Sequence, residues 1–191
     1  MSKKGTLFVI SGPSGVGKGT ICQEILKEKD ALSLSLSVSA TTRKPRSIDQ
    51  EGVTYYFKTL EEFESMIADG AFLEYARYNE NYYGTPLKPV QEKLESGHNV
   101  VLEIEVQGAL QVKKNFPEGV CIFIAPPDIE TLRTRLRGRE TETEQEIAKR
   151  IAVAEWEMQQ QEKYDYIVIN DVLEDAVQSV KDIIQARSVV L

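Results

Sequence analysis

The nine residues Gly12-Pro13-Ser14-Gly15-Val16-Gly17-Lys18-Gly19-Thr20 constrain this chain more than any other stretch. They follow at once on the apolar run Thr6-Leu7-Phe8-Val9-Ile10, which reads as a buried parallel strand. They lead into a helical pattern from about Lys18 to Lys29, with Ile21, Ile25 and Leu26 on one face. Strand, glycine-rich turn and helix start in that order make a phosphate cradle. Glycines let backbone amides turn inward onto phosphate oxygens. The helix N-terminus adds the positive end of its dipole. Lys18 supplies a mobile charge for the β and γ oxygens of a nucleoside triphosphate. A plain βα turn requires neither the lysine nor this spacing. The general pattern puts Ser or Thr directly after the lysine, whereas here Gly19 intervenes. The magnesium-facing hydroxyl is then either that of Thr20 or absent from the loop.

Composition narrows the rest. The 191 residues suit one domain, or one core carrying inserted lobes. Basic side chains number 23 and acidic ones 30, a net charge of −7, which argues against a broad nucleic-acid or anionic-membrane surface. Hydrophobic residues at 41% and charged ones at 28% exclude disorder and collagen-like structure. Cys22 and Cys121 sit among apolar residues and read as buried, reduced thiols, not a disulfide framework or a zinc site. The single histidine, His98, lies in the turn-like Ser96-Gly97-His98-Asn99, so Ser-His or Cys-His chemistry is not expected. There is no apolar run of membrane-spanning length, and no signal-peptide core follows Met1-Ser2-Lys3-Lys4. A cytoplasmic location is expected.

Further along, Leu32, Leu34, Leu36 and Val38 alternate with serines and predict a strand over 32–39. Residues 41–56 are polar, basic and turn-rich. A short helix is expected over 60–67, extended chain over 71–83 and a helix over 86–94 closed by Gly97. Val100 to Glu105 reads as a buried strand ending in acids, with Glu103 and Glu105 on one face. Val120 to Ile124 is another strand, stopped by Pro126-Pro127. Asp128 caps a helix holding Ile129, Leu132 and Leu136, and Thr143-Glu144-Gln145-Glu146 opens a long one as a capping box. On that helix Trp156 and Met158 read as packing residues, and Tyr164 and Tyr166 as structural residues beyond it. Tyr166 to Ile169 is the last core strand, followed by a closing helix through Leu173, Val177, Val180 and Ile184. Strands and helices alternate, which predicts an α/β parallel sheet flanked by helices. No Asn-Lys-x-Asp segment specifies guanine in the manner of a GTPase.

A second anionic site is legible after the second strand. Arg43 and Arg46 flank Pro45 in a short loop, and two guanidinium groups there suit a phosphate. Tyr55 and Tyr83 carry hydroxyls able to donate to it. Glu74 lies in the apolar stretch Phe72-Leu73-Glu74-Tyr75; it either points to solvent from an edge strand or meets donors such as guanine N1 and N2.

Together these stretches resemble the guanylate kinases. The matching segments are GPSGVGKGT at 12–20, SVSATTRKPR at 37–46, EGVTYYF at 51–57, FLEYA at 72–76, NYYGTP at 81–86, LEIEVQGA at 102–109 and RLRGRETETE at 135–144. The resemblance implies a P-loop NTPase-type parallel sheet in a single domain over 1–191. Its core would comprise 1–39, 86–125 and 151–191, with an inserted GMP-binding lobe at 40–85 and a lid at 126–150. It implies phosphoryl transfer from ATP to GMP in purine nucleotide metabolism, with Mg2+, small-molecule substrates, and neither nucleic acid nor membrane as partner. Arg43, Arg46, Tyr55 and Tyr83 would hold the GMP phosphate. Glu74 would accept from guanine N1 and N2, Glu105 would share that edge, and Ser39 and Thr85 would meet the rest of the base. Residues 12–20 and Arg133 would bind ATP. Lys18, Arg137 and Arg150 would neutralise the transferring phosphoryl. Thr20 and Glu103 would stand near the metal, directly or through water. Thr85 stands where many relatives have serine, Glu103 and Glu105 are longer than the aspartates of some, and Arg139-Glu140 replaces a frequent Arg-Gly, implying a stiffer lid tip.

Alternatives remain at two places. Asn170 follows the last core strand, where its amide either meets the adenine or caps a turn. The acidic run Glu140, Glu142, Glu144, Glu146 reads as helix-start chemistry balancing surface arginines such as Arg139. Both basic segments, around Arg43 and around Arg137, are expected to be poorly neutralised until phosphates arrive. The rival readings are a kinase for another nucleoside monophosphate or small metabolite, disfavoured by Glu74 with Ser39 and Thr85, and a binding module of the same fold, disfavoured by the intact phosphate loop and arginines.

Overall fold

The computed structural model describes residues 4–78, 80–138 and 143–188. In chain order its elements begin with β1 (Leu7–Ser11), α1 (Lys18–Leu26), β2 (Leu34–Leu36), β3 (Ala40–Thr41) and β4 (Tyr56–Phe57). Next come α2 (Leu60–Ala68), β5 (Phe72–Tyr78), β6 (Asn81–Pro86), α3 (Leu87–Glu95), β7 (Asn99–Glu103) and α4 (Val106–Asn115). Then follow β8 (Val120–Ala125), α5 (Ile129–Arg137), α6 (Glu144–Gln159), β9 (Tyr166–Ile169) and α7 (Leu173–Arg187).

A five-stranded parallel sheet in the order β2-β7-β1-β8-β9 forms the core. Its three central strands are near-continuous apolar runs because helices cover both faces. On one face Phe8, Ile10, Val101, Ile122 and Ile124 pack with Ile21 and Ile25 of α1 and Val180 and Ile184 of α7. On the other, Leu7, Val9, Val100, Leu102 and Cys121 pack with Val90 and Leu94 of α3 and Ala109 and Val112 of α4. Both cysteines are buried and unpaired. Chain order reverses at β1, which lies between β7 and β8, so the loop after β1 opens into the crevice at the carboxyl ends of the strands.

A second sheet, β4-β3-β6-β5, is built from residues 40 to 86. Its face is held by a ring stack in which Phe63 of α2 sits 4.4 Å from Phe72 and 5.3 Å from Tyr82. The capping box at Thr59 and Glu62 starts α2, and that at Thr143 and Glu146 starts α6. Asp128 accepts from the Thr131 amide and caps α5.

The structure departs from the sequence reading at several points. The strand expected over 32–39 ends at Leu36, which is exposed. The Ser37 amide still bonds to the Val101 carbonyl, but the chain then leaves the core sheet and enters the second one at Ala40. A period of two marks extended chain; it does not say to which sheet that chain belongs. Glu105 does not share a strand face with Glu103, because β7 ends at Glu103 and Glu105 is the residue preceding α4. The helix α4 itself was not anticipated. Trp156 is 41% exposed and so is not a packing residue, whereas Met158 packs near Phe123. Tyr164 sets its ring edge-on to Phe123 at 5.0 Å, as a structural residue should. His98 is exposed in its turn, beside the Ser96 hydroxyl. Residues 1–3, Arg139, Glu140 and Glu142, on which the leader, lid-tip and acidic-run readings partly rest, lie outside the described residues.

Candidate active site

The phosphate loop spans the end of β1 and the start of α1. Gly17 precedes α1 with φ +99°, a conformation that side chains rarely adopt, and a Cβ there would meet the Asn170 amide nitrogen at 2.6 Å. Asn170 is buried and donates through Nδ2 to the Val16 carbonyl at 2.8 Å. Neither of the two readings left open for it describes this bond, in which the amide nitrogen braces the loop from behind. Lys18 is 8% exposed, and its Nζ donates to the carbonyls of Gly12 at 2.7 Å and Pro13 at 3.1 Å. Glu105 stands 3.6 Å from the same Nζ with its carboxylate largely in solvent.

Two residues of α6 and one of β7 reach the loop. Arg150 donates to the Ser14 hydroxyl. Glu157, two turns further along the helix and 6% exposed, lies close enough to the Ser14 amide to feel it. Burial, and secondarily Glu105, push the Glu157 carboxyl up to about 7, against the opposing pull of Lys18 and of the Ser14 amide. Among the described residues, Ser11 Oγ, Glu157 Oε2 and Tyr164 Oη are buried without a hydrogen-bond partner. Glu103, at the end of β7, lies beside Gly19: a Cβ at position 19 would stand 3.3 Å from Glu103 Oε1. Burial raises the Glu103 carboxyl, Lys18 lowers it and Glu105 raises it further.

Glu157 makes stability pH-dependent with a definite sign. An ordinary glutamate gives up its proton near 4.5, whereas folded Glu157 holds it to about 7. In that window the native chain carries a proton that the unfolded chain has lost, so stability falls as pH rises through it. Melting of the wild type and Glu157→Gln between about pH 5 and pH 8 should show the wild type losing ground to the variant as pH rises. Parallel curves would contradict the burial of a titrating carboxyl here.

The other wall comes from the second sheet. Arg43 Nη2 lies 2.9 Å from Asp49 Oδ2, and its guanidinium stands 5.4 Å from the Tyr55 ring centre and 5.9 Å from that of Phe57. Asp49 also accepts from the Arg46 amide at 2.7 Å. That bond, more than the Arg43 guanidinium, holds its carboxyl below the usual carboxylate range. Sequence reasoning missed Asp49, although an acid three residues after Arg46 in a turn-forming stretch was the available signal. Tyr55 and Tyr83 lie edge to face at 6.0 Å. Between the two sheets opens a cleft lined by Ser39, Tyr55, Thr85, Leu102, Glu103 and Ile104, among others.

Glu74 does not point to solvent. It is 6% exposed, and the Thr85 hydroxyl donates to its Oε1 at 2.6 Å. Burial pushes its carboxyl up and the Thr85 bond pulls it back. On the far side Arg137 pairs with Glu144 through two contacts of 3.0 and 2.8 Å, and Arg133 with Glu130 at 3.3 Å. The expectation of unneutralised arginines is therefore wrong: Arg43 has Asp49 and Arg137 has Glu144. In each case the partner lies six or seven residues away, so the chain itself supplies the counter-charge.

A cradle for one phosphate chain, faced across a cleft by an arginine and tyrosine wall, with a buried carboxylate behind the cleft residue Thr85, belongs to a P-loop phosphotransferase acting on a second, phosphorylated substrate. The family model "Guanylate kinase" matches residues 4–187. A guanylate kinase of Clostridium acetobutylicum is 54% identical over 187 residues, covering 98% of this chain and 88% of that protein. One of Caldanaerobacter subterraneus is 54% identical over 188 residues, covering 98% and 90%. The crystal structure of guanylate kinase from Anaplasma phagocytophilum superposes with a TM-score of 0.76 at 29% identity, covering 100% of this chain and 90% of that one. A shikimate kinase structure from Bacteroides thetaiotaomicron, at TM-score 0.52 and 16% identity over 95% and 99% of the two chains, shares the fold. The chain belongs to the guanylate kinase family.

Proposed function

We propose that the chain transfers the γ-phosphoryl group of ATP to GMP, giving ADP and GDP. The observation that carries this reading is Glu74, a buried carboxylate whose Oε1 accepts from the Thr85 hydroxyl. Guanine presents two donors on one edge, N1–H and N2–H, which suit it. Ser39, Thr85 and Glu105 are assigned to the same base. Arg43, Arg46, Tyr55 and Tyr83 hold the GMP phosphate. Residues 12–20, with Arg133 and Asn170, hold ATP, and Asn170 acts from behind the loop.

Family membership implies magnesium. The donors fit a hard cation: Glu103 stands beside Gly19, where the missing side chain leaves room, and Thr20 is exposed at the first turn of α1. Mg2+ keeps several waters and is shared with substrate phosphates, so one or two such protein oxygens suit it. Bound there, Mg2+ would neutralise charge on the ATP phosphates. The protein's own part is positional. Lys18, Arg137 and Arg150 place cations where charge spreads over the transferring group, and the two walls bring donor and acceptor into line. Among the described residues no helix is long and apolar enough to cross a membrane. A coupled ADP-release assay offering each nucleoside monophosphate in turn tests the reading. GMP should support turnover; activity confined to another acceptor would overturn it.

Closure should accompany binding. For Arg137 to meet a phosphoryl group it must exchange Glu144 for it, and excluding water then protects ATP from hydrolysis. Dyes at Ile48→Cys and Thr134→Cys, both exposed positions, would label selectively because Cys22 and Cys121 are buried. The inter-dye distance should shorten when GMP and a nonreactive ATP analogue are both bound. A constant distance with both ligands bound would remove closure from the mechanism.

A further inference from the structure

β5 is an edge strand, and one side of its backbone has no neighbouring strand. Helix α4 occupies that side. Gln111 Nε2 donates to the Tyr75 carbonyl at 2.9 Å, and Gln111 Oε1 accepts from the Tyr75 amide at 3.2 Å. The side-chain amide thus does for Tyr75 what a peptide group of a further strand would do. Asn115 Nδ2 donates to the Leu73 carbonyl at 3.0 Å. The residues so held, Leu73 and Tyr75, are the two neighbours of Glu74. Gly108 completes the set: a Cβ there would sit 2.6 Å from Glu74 Oε2 and 3.2 Å from its Cδ. Positions 108, 111 and 115 are spaced by three and four, so they share one face of α4.

We infer that this face of α4 sets base selectivity, with Gly108, Gln111 and Asn115 acting as positioning residues for Glu74. The inference rests on the reading of Glu74 as the guanine acceptor. Gln111 and Asn115 hold the backbone on either side, and Gly108 leaves the room that the carboxylate occupies. A carboxylate must meet N1–H and N2–H together, so a small displacement costs both hydrogen bonds at once. The base-reading residue is thereby anchored to a helix of the core sheet, while Arg43 and Arg46 sit at the opposite edge of the second sheet, around β3 and β4.

The test compares wild type, Gln111→Met and Gly108→Ala. Gln111→Met keeps length and volume but removes both bonds to Tyr75. For each protein one measures kcat and KM with GMP and with inosine monophosphate, the 6-oxopurine lacking the 2-amino group, together with KM for ATP and the melting temperature. Gln111→Met should raise the GMP KM about tenfold, the cost of a misplaced hydrogen-bond acceptor. KM for ATP should stay unchanged and the preference for GMP over inosine monophosphate should shrink. Gly108→Ala should act in the same direction and more strongly. If Gly108→Ala fails to fold, Gln111→Met decides. A lowered melting temperature with GMP KM and base preference unmoved would reduce α4 to a structural support and overturn the inference. If wild type itself shows no preference for GMP, the guanine reading of Glu74 fails first and the inference goes with it.

Discussion

Offered AMP in place of GMP, the chain should lose roughly 10⁴-fold in kcat/KM, the scale on which a site built of hydrogen-bonding groups rejects an analogue that leaves them unpaired. The reason lies in Glu74. Its carboxylate is buried, one oxygen takes the Thr85 hydroxyl, and any further partner it meets must be a donor. Adenine brings a lone pair at N1 and a C–H at C2 to the same edge, so an acceptor faces an acceptor in a place that water does not freely reach. Glu74→Gln keeps the shape and the Thr85 contact but turns one oxygen into a donor. It should raise the GMP KM steeply, leave the ATP KM alone and narrow the gap between GMP and AMP. The assay is steady-state kinetics with each acceptor at saturating ATP. Comparable kcat/KM for GMP and AMP in wild type would reject guanine as the base, and an unmoved GMP KM in Glu74→Gln would take Glu74 out of the site.

What the sequence disclosed and what it hid divide along a physical line. The phosphate loop was legible because its chemistry needs adjacent residues: amides, glycines and Lys18 must be contiguous to wrap one phosphate. The parallel core was legible because strands buried on both faces are apolar runs, as in β1 and β8. Glu74 was half legible, since a carboxylate among aromatic residues is unusual, but only the Thr85 contact across β5 and β6 separates a buried acceptor from a solvated edge residue. Asp49 was hidden because its value depends on a turn bringing it to Arg43 and Arg46. Helix α4 was hidden although Val106, Ala109 and Val112 recur at three-residue spacing and Lys113 and Lys114 suit its end. Gln111 and Asn115 have partners far away in sequence, Tyr75 and Leu73, which no local pattern discloses. Glu103 and Glu105 misled for a related reason, since a period of two extrapolates a strand past its true end, and Glu105 already belongs to the turn into α4.

Lys18→Ala should lower kcat by roughly 10³-fold, in the range for removing a positioned cation or donor from a developing anionic charge, while the protein stays folded. Lys18 is nearly buried at the start of α1, and two of its three ammonium hydrogens are directed to the carbonyls of Gly12 and Pro13. Those bonds fix the position of the charge without neutralising it, and Glu105 at 3.6 Å is too solvated to cancel it. One donor remains for a phosphate oxygen. The ammonium is thus already arranged, so little reorganisation is needed when charge builds on the phosphoryl group. Alanine is well tolerated in the first turn of a helix, and the core beneath α1 is held by Ile21 and Ile25, not by Lys18. Melting temperature and circular dichroism should therefore stay near wild type, and GMP binding, proposed at the other wall, should be little altered. Lys18→Arg should not rescue turnover, because a planar guanidinium cannot place its donors between two neighbouring carbonyls as a compact ammonium does. Near-wild-type turnover in Lys18→Ala, in a protein shown to be folded and to bind GMP, would reject the loop as the catalytic cradle and move the search for the transferring charge to Arg137 and Arg150.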